Sequence, residues 1–174
     1  MDVVVVLAMH GSPPIDFPKV ELTEYFSLHA RVGHHSEADH EALRNRYSHL
    51  DDKMRSWPRT PENDPFYAGA MEMAEHIEES SGYKVIVGFN EFCAPTLDAA
   101  LEQAVSEKPE KVVVLTPMMT RGGEHAEKDI PQAIERAKKV HPQANIVYAW
   151  PFEVSEVGGF LASQIKRFDP QQHK

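Results

Sequence analysis

The chain has one cysteine, no long apolar run and too little positive charge, and each shortage removes a class of protein. Cys93 cannot close an intrachain bridge, so a secreted disulfide scaffold is excluded, and the residue reads as a small buried hydrophobe. The longest N-terminal apolar run, residues 3–9, falls far short of the roughly 20 residues that span a bilayer. Asp2 precedes it where a signal peptide would carry basic residues, so the cytoplasm is the expected compartment and no membrane partner is expected. Lys and Arg number 18 against 27 Asp and Glu, a formal net charge of −9, which argues against a nucleic-acid or anionic-membrane surface.

What is present fits one domain with one substantial core: 174 residues, 41% of them hydrophobic. Four runs rich in β-branched residues, at 3–7, 84–89, 111–116 and 145–149, have continuous hydrophobic stretches, as strands buried on both faces do. Helical patterns separate and follow them. Residues 66–80 are closed by Gly82, and 96–107 align Leu97, Ala100, Leu101, Ala104 and Val105 on one stripe. Residues 124–140 carry Ile130, Ile134 and Ala137 and end near His141-Pro142; 154–168 carry Val157, Phe160, Leu161 and Ile165. Strand alternating with helix predicts an α/β layer structure with right-handed crossovers. Residues 15–64 break the rhythm with one helix at 21–30, a charged one at 36–56 opened by Ser36 and Asp39, and a proline-rich loop. That stretch is too short and polar for its own core and reads as a helical insertion packed on or over the crevice.

Three polar residues stand at or just beyond the ends of separate strand-like runs: His10 after VVVVLAM, Glu91 after VIVGFN and His125 after VVVLTPMMTRGGE. In an open parallel sheet the carboxyl ends of the strands converge on one crevice, so these residues can face a single ligand. Two imidazoles and a carboxylate suit a divalent transition metal, or proton transfer near neutral pH. Each has a plainer reading alone: a histidine that merely ends a strand, a glutamate favoured near a helix N-terminus, a Gly-Gly loop that cradles an anion. Met118 and Met119 fit an apolar pocket or the core, and Arg121 suits a substrate carboxylate. The stretch His34-His35-Ser36-Glu37-Ala38-Asp39-His40 reads as a second metal box or as a solvated helix, since His35 and Asp39 lie one turn apart. His29, His49, His76, His141 and His173 read as surface or packing residues.

His10-Gly11-Ser12, Gly88-Phe89-Asn90-Glu91 leading to Pro95-Thr96-Leu97, the loop 117–123, His125 and Asp129-Ile130-Pro131 together resemble the class II chelatases. The resemblance is to the small sirohydrochlorin chelatases of cobalamin and siroheme biosynthesis, over residues 2–12 and 66–168. It implies a three-layer α/β/α fold with a four-stranded, mainly parallel sheet. It implies a lyase that inserts Co2+, Fe2+ or Ni2+ into a tetrapyrrole without an organic cofactor, working as a homodimer. Carried over, the metal-contacting histidines fall on His10 and His125 and the active-site glutamate on Glu91, as further ligand or base. Arg121 and Lys128 then meet the macrocycle's carboxylates, while Met118, Met119 and Phe89 offer apolar contact. Glu124 stands where the family usually has glycine, which offers an extra ligand or a shifted metal preference. The insertion 15–64 exceeds what short members carry, as a lid or as a change of oligomer or substrate. Two rivals remain: a metal or tetrapyrrole carrier using the same crevice, and a histidine phosphatase, which needs an arginine where Met9 stands.

Overall fold

The computed structural model describes residues 2–32 and 40–169. The strands are β1 Val3–Met9, β2 Lys84–Phe89, β3 Lys111–Leu115 and β4 Ile146–Tyr148. They form one parallel sheet in the order β2-β1-β3-β4, with β1 central and paired on both sides. Helices cover both faces, so the expected three layers are present, and β1 is buried from Val4 to Met9.

Alternation along β1 divides the core in two. Val4, Val6 and Ala8 join Val112, Val114 and Ile146 against α4 (Leu97–Ser106) and α5 (Ile130–Val140). Leu7 and Met9 join Val87 and Phe89 against α1 (Lys19–Val32), α2 (His40–Arg55) and α3 (Pro65–Ser81). Burying each such valine, leucine or phenylalanine contributes about 1.5–3 kcal/mol. Gly88 lets α4 close on the sheet: a Cβ there would stand 2.7 Å from Ala100 Cβ and 3.0 Å from Leu97 Cα. α3 opens on Asp64, whose carboxylate accepts from Tyr67 N–H, and stops at Gly82 in the left-handed conformation.

Residues 15–64 supply Phe17, Tyr25, Leu28, Leu50 and Met54 to the second core. Their charged residues link α1 to α2, through Lys53 to Glu21 at 2.6 Å and Arg46 to Glu24 at 2.7 Å. The histidine-rich stretch 34–40, the capping pair Ser36 and Asp39, and His173 lie outside the residues whose side chains are described.

Two expectations need correction. The helix at 124–140 begins as a π-helical turn, His125–Asp129, and becomes α-helical only at Ile130. Pro131 has no N–H to give the carbonyl four residues back, and the turn before it widens, Ile130 N–H reaching His125 O. The last helix, α6 (Val154–Arg167), has its apolar stripe, but the stripe faces out: Phe160, Leu161 and Ile165 are 60%, 55% and 72% exposed. No helix among the described residues is long and apolar enough to cross a membrane.

Candidate metal centre

β1 ends at Met9 and delivers His10 to the carboxyl edge of the sheet; β2 ends at Phe89 and delivers Glu91 beside it. Backbone bonds continue the strand pairing past both ends, Asn90 N–H to Met9 O and Glu91 N–H to His10 O, each 2.9 Å. Gly11 makes this approach possible. Its φ is +109°, and a Cβ there would lie 1.9 Å from Glu91 O, so no other residue fits without moving the chain. His125 arrives from the far side of β1, on the turn that follows the 116–124 loop.

One donor atom from each of His10, Glu91 and His125 lies within 4.8 Å of the others, and all three side chains are half-buried. They form the only such metal-type cluster among the described residues. Glu91 Oε2 stands 3.9 Å from His10 Nδ1 and 3.9 Å from His125 Nε2, and the two rings meet edge to face with centroids 4.3 Å apart. Asp129 Oδ2 sits 2.6 Å from His125 Nδ1. A carboxylate only accepts, so Nδ1 carries the proton and Nε2 keeps its lone pair toward Glu91. Gly11 O, 2.9 Å from His10 Nδ1, imposes the same tautomer on the other ring. His125 thus turns an unprotonated Nε2 toward Glu91, whereas on His10 the nitrogen that faces Glu91 is Nδ1 itself.

The other expected contacts are dispersed. Phe89 does not reach the surface: it is 0% exposed and stacks on Tyr67 with centroids 5.3 Å apart, because its strand position faces α3. Lys128 is engaged with Glu124 at 3.1 Å on the helix surface, and Glu124 stands outside the cluster. Met118 packs on the sheet's first core, Met119 is half-buried and Arg121 is exposed, all on the loop leading to His125. Cys93 is fully buried, and burial pushes its thiol up.

Four residues near the site carried no role in the sequence reading. Asp129 is one, although its spacing of four from His125 was visible. Phe92 stacks beside His10 at 6.3 Å and touches Phe26 of α1 at 6.0 Å, which makes an aromatic wall on that flank; Phe26 is 47% exposed. Arg55 and Arg59, from residues 15–64, reach the backbone on both sides of Glu91. A cavity of about 340 Å³ opens beside Glu91 and Asp129, walled by Arg55, Gln132 and Arg136.

A parallel α/β/α layer with two imidazoles and a carboxylate at its strand ends defines an α/β protein with a transition-metal type of donor set. The family model of CbiX matches residues 62–161, more than half of the sequence, and the chain belongs to that family. β1, His10 and most of the 15–64 segment lie outside the matched residues. Among curated relatives, the chain is 34% identical over 64 residues to a sirohydrochlorin cobaltochelatase of Methanopyrus kandleri, covering 36% of this chain and 44% of that protein. It is 26% identical over 89 residues to a sirohydrochlorin ferrochelatase of Priestia megaterium, covering 51% of this chain and 33% of that protein. The chain therefore spans less than half the length of the curated relatives it matches. A solved CbiX structure from Marinobacter aquaeolei VT8 superposes with a TM-score of 0.51 at 19% identity, covering 95% of each chain, a likeness of fold.

Proposed function

We propose that the protein is a cytoplasmic lyase that inserts a divalent metal ion, Co2+ or else Fe2+ or Ni2+, into sirohydrochlorin or a related tetrapyrrole. The convergence of His10, Glu91 and His125 at open strand ends carries this reading. The names of the curated relatives point the same way. The metal is substrate, and no organic cofactor is required.

Two imidazole nitrogens and one carboxylate oxygen suit Co2+, Ni2+ and Fe2+ better than an all-oxygen site would. Insertion exchanges two pyrrole N–H protons for one M2+, so the site must hold the ion and then take up protons. His10 and His125 hold it through ring nitrogens, Nε2 in the case of His125, and each becomes a base as the ion passes to the macrocycle. Glu91, between the rings, is the third donor and a further base. Arg121 meets a macrocycle carboxylate, and Met118 and Met119 offer apolar contact.

Residues 15–64 are an insertion within a single domain, which their share of the second core supports. The partner is a second copy of the chain. Phe160, Leu161, Ile165 and Phe168 leave an apolar face on α6 that a homodimer would cover. Ile165→Asp should then shift the protein from dimer to monomer in sedimentation velocity; a monomeric wild type removes this part of the proposal.

The decisive assay follows absorbance as purified protein meets sirohydrochlorin and each metal in turn. Turnover beyond one equivalent per site separates a chelatase from a carrier. His10→Ala should abolish turnover and leave the melting temperature in place. Unchanged turnover of that variant rejects the mechanism.

A further inference from the structure

Building on the metal-centre reading above, we propose that Arg55, on α2, is a positioning residue that fixes Glu91 at its distance from the two histidines. The loop between β2 and α4 is short and strained. Phe92 has φ +59°, in the left-handed region, and Cys93 N–H folds back onto Glu91 O at 2.6 Å. Such a conformation costs about 1–3 kcal/mol in a bulky residue and persists only where its surroundings hold it. The carbonyls of Asn90, Phe92 and Cys93 need partners once they are out of bulk water. All three find guanidinium groups from residues 15–64. Arg55 donates from Nη1 to Cys93 O at 2.9 Å and from Nη2 to Asn90 O at 3.3 Å, while Arg59 donates to Phe92 O at 2.5 Å. Glu91 lies between the carbonyls that Arg55 grips.

Arg55 is itself aimed. Its Nε donates to Asp51 Oδ2 at 2.6 Å, one helical turn away, and Asp51 Oδ1 accepts from Tyr25 O–H at 3.1 Å. Burial pushes the Tyr25 phenol far above its ordinary value, so it remains a donor. Tyr47 O–H, 3.0 Å from Tyr25 O–H, closes the network. Asp51 matches the guanidinium's charge, which would otherwise oppose a cation nearby, so Arg55 acts through geometry. On this view the insertion is the brace that sets one corner of the donor triangle.

The test uses Co2+ alone, with calorimetry for affinity and the visible spectrum of the bound ion for coordination geometry. Arg55→Lys keeps the charge but lacks the planar fork that serves Asp51 and two carbonyls at once. It should weaken Co2+ binding about 10- to 100-fold, the range for loss of an orienting partner, and change the spectrum. Asp51→Asn leaves Arg55 in place but loosens its aim. It should move both readouts the same way, and it carries the test if Arg55→Lys fails to fold. Arg46→Gln, which breaks a bidentate pair to Glu24 on the same helix, should leave both unchanged. Wild-type affinity and spectrum in Arg55→Lys and Asp51→Asn, with binding lost in His125→Ala, overturn the role of Arg55 alone. A wild type that binds no Co2+ overturns the metal-centre reading and this inference with it.

Discussion

Removing the Arg59 guanidinium tests how the two site loops are tied together. Arg59 and Asp64 form an ion pair in which both side chains are inside the protein, 6% and 1% exposed. Arg59 also donates to Ser12 O at 2.7 Å, Met54 O at 2.8 Å and Phe92 O at 2.5 Å, so one residue fastens the loop after His10 to the loop after Glu91. Arg59→Met keeps the apolar stem of the side chain, removes the guanidinium and leaves Asp64 as a buried charge, facing only Tyr67 N–H and the Cys93 thiol. Breaking a buried pair from one side costs about 3–5 kcal/mol. For a chain of this size each kcal/mol lowers the melting temperature by about 2–4 °C, so a fall of roughly 6–20 °C is expected in calorimetry. Asp64→Asn removes the charge but keeps a capping oxygen for α3. The double variant Arg59→Met/Asp64→Asn should therefore melt above Arg59→Met. A loss under about 2 °C in Arg59→Met, or a double variant no better than the single, would refute the reasoning, because the stranded carboxylate is its source.

Other outcomes follow from the geometry of the site and its flanks. Gly11→Ala should lose about 1–3 kcal/mol from backbone strain alone, and Co2+ affinity with it, since the new Cβ meets Glu91 O; unchanged melting and calorimetry would show that the approach is not tight. Phe26→Ser should raise KM for the tetrapyrrole while leaving Co2+ affinity unchanged, and equal KM values would exclude the aromatic wall from substrate contact. Burial, with the charge of Glu127 adding, pushes the Tyr148 phenol up to about 12, and its hydroxyl donates to Ala126 O at 2.9 Å. Its contribution is therefore complete below the ordinary tyrosine pKa of about 10 and is lost as pH rises from there through about 12. Tyr148→Phe should flatten that part of the stability profile; an unaltered slope would remove Tyr148 as its source.

The sheet was legible because its first three strands are runs rich in valine with little polar character, as strands covered on both faces are, while the edge strand β4 exposes Val147. The meeting of His10, Glu91 and His125 was legible for a related reason: His10 and Glu91 follow the ends of two such runs, His125 lies on the loop that leaves a third, and parallel strands bring their ends to one edge. The residues that orient them were harder to see. Asp129 had the helical spacing, but a carboxylate four residues from a histidine is common on solvated helices. Arg55 and Arg59 act on carbonyls 33–47 positions away, and backbone acceptors leave no mark in a sequence. Phe89 was misplaced because strand alternation fixes which face a residue takes only once the register is known, and the register points it at Tyr67. The outward stripe of α6 has the same periodicity as a buried one. Periodicity reports that a face is apolar and is silent about what lies opposite.

The donor triangle has sides of two kinds. His10 and Glu91 hang from neighbouring strands whose ladder runs past both of them, so that side is as rigid as the sheet. The two sides that end on His125 depend on the 116–124 span and on the wide turn after it. Residue changes in that span can lengthen or shorten two sides while the third stays fixed. The gauge of the opening, and with it the radius of ion that sits well there, can thus be retuned without disturbing a single strand.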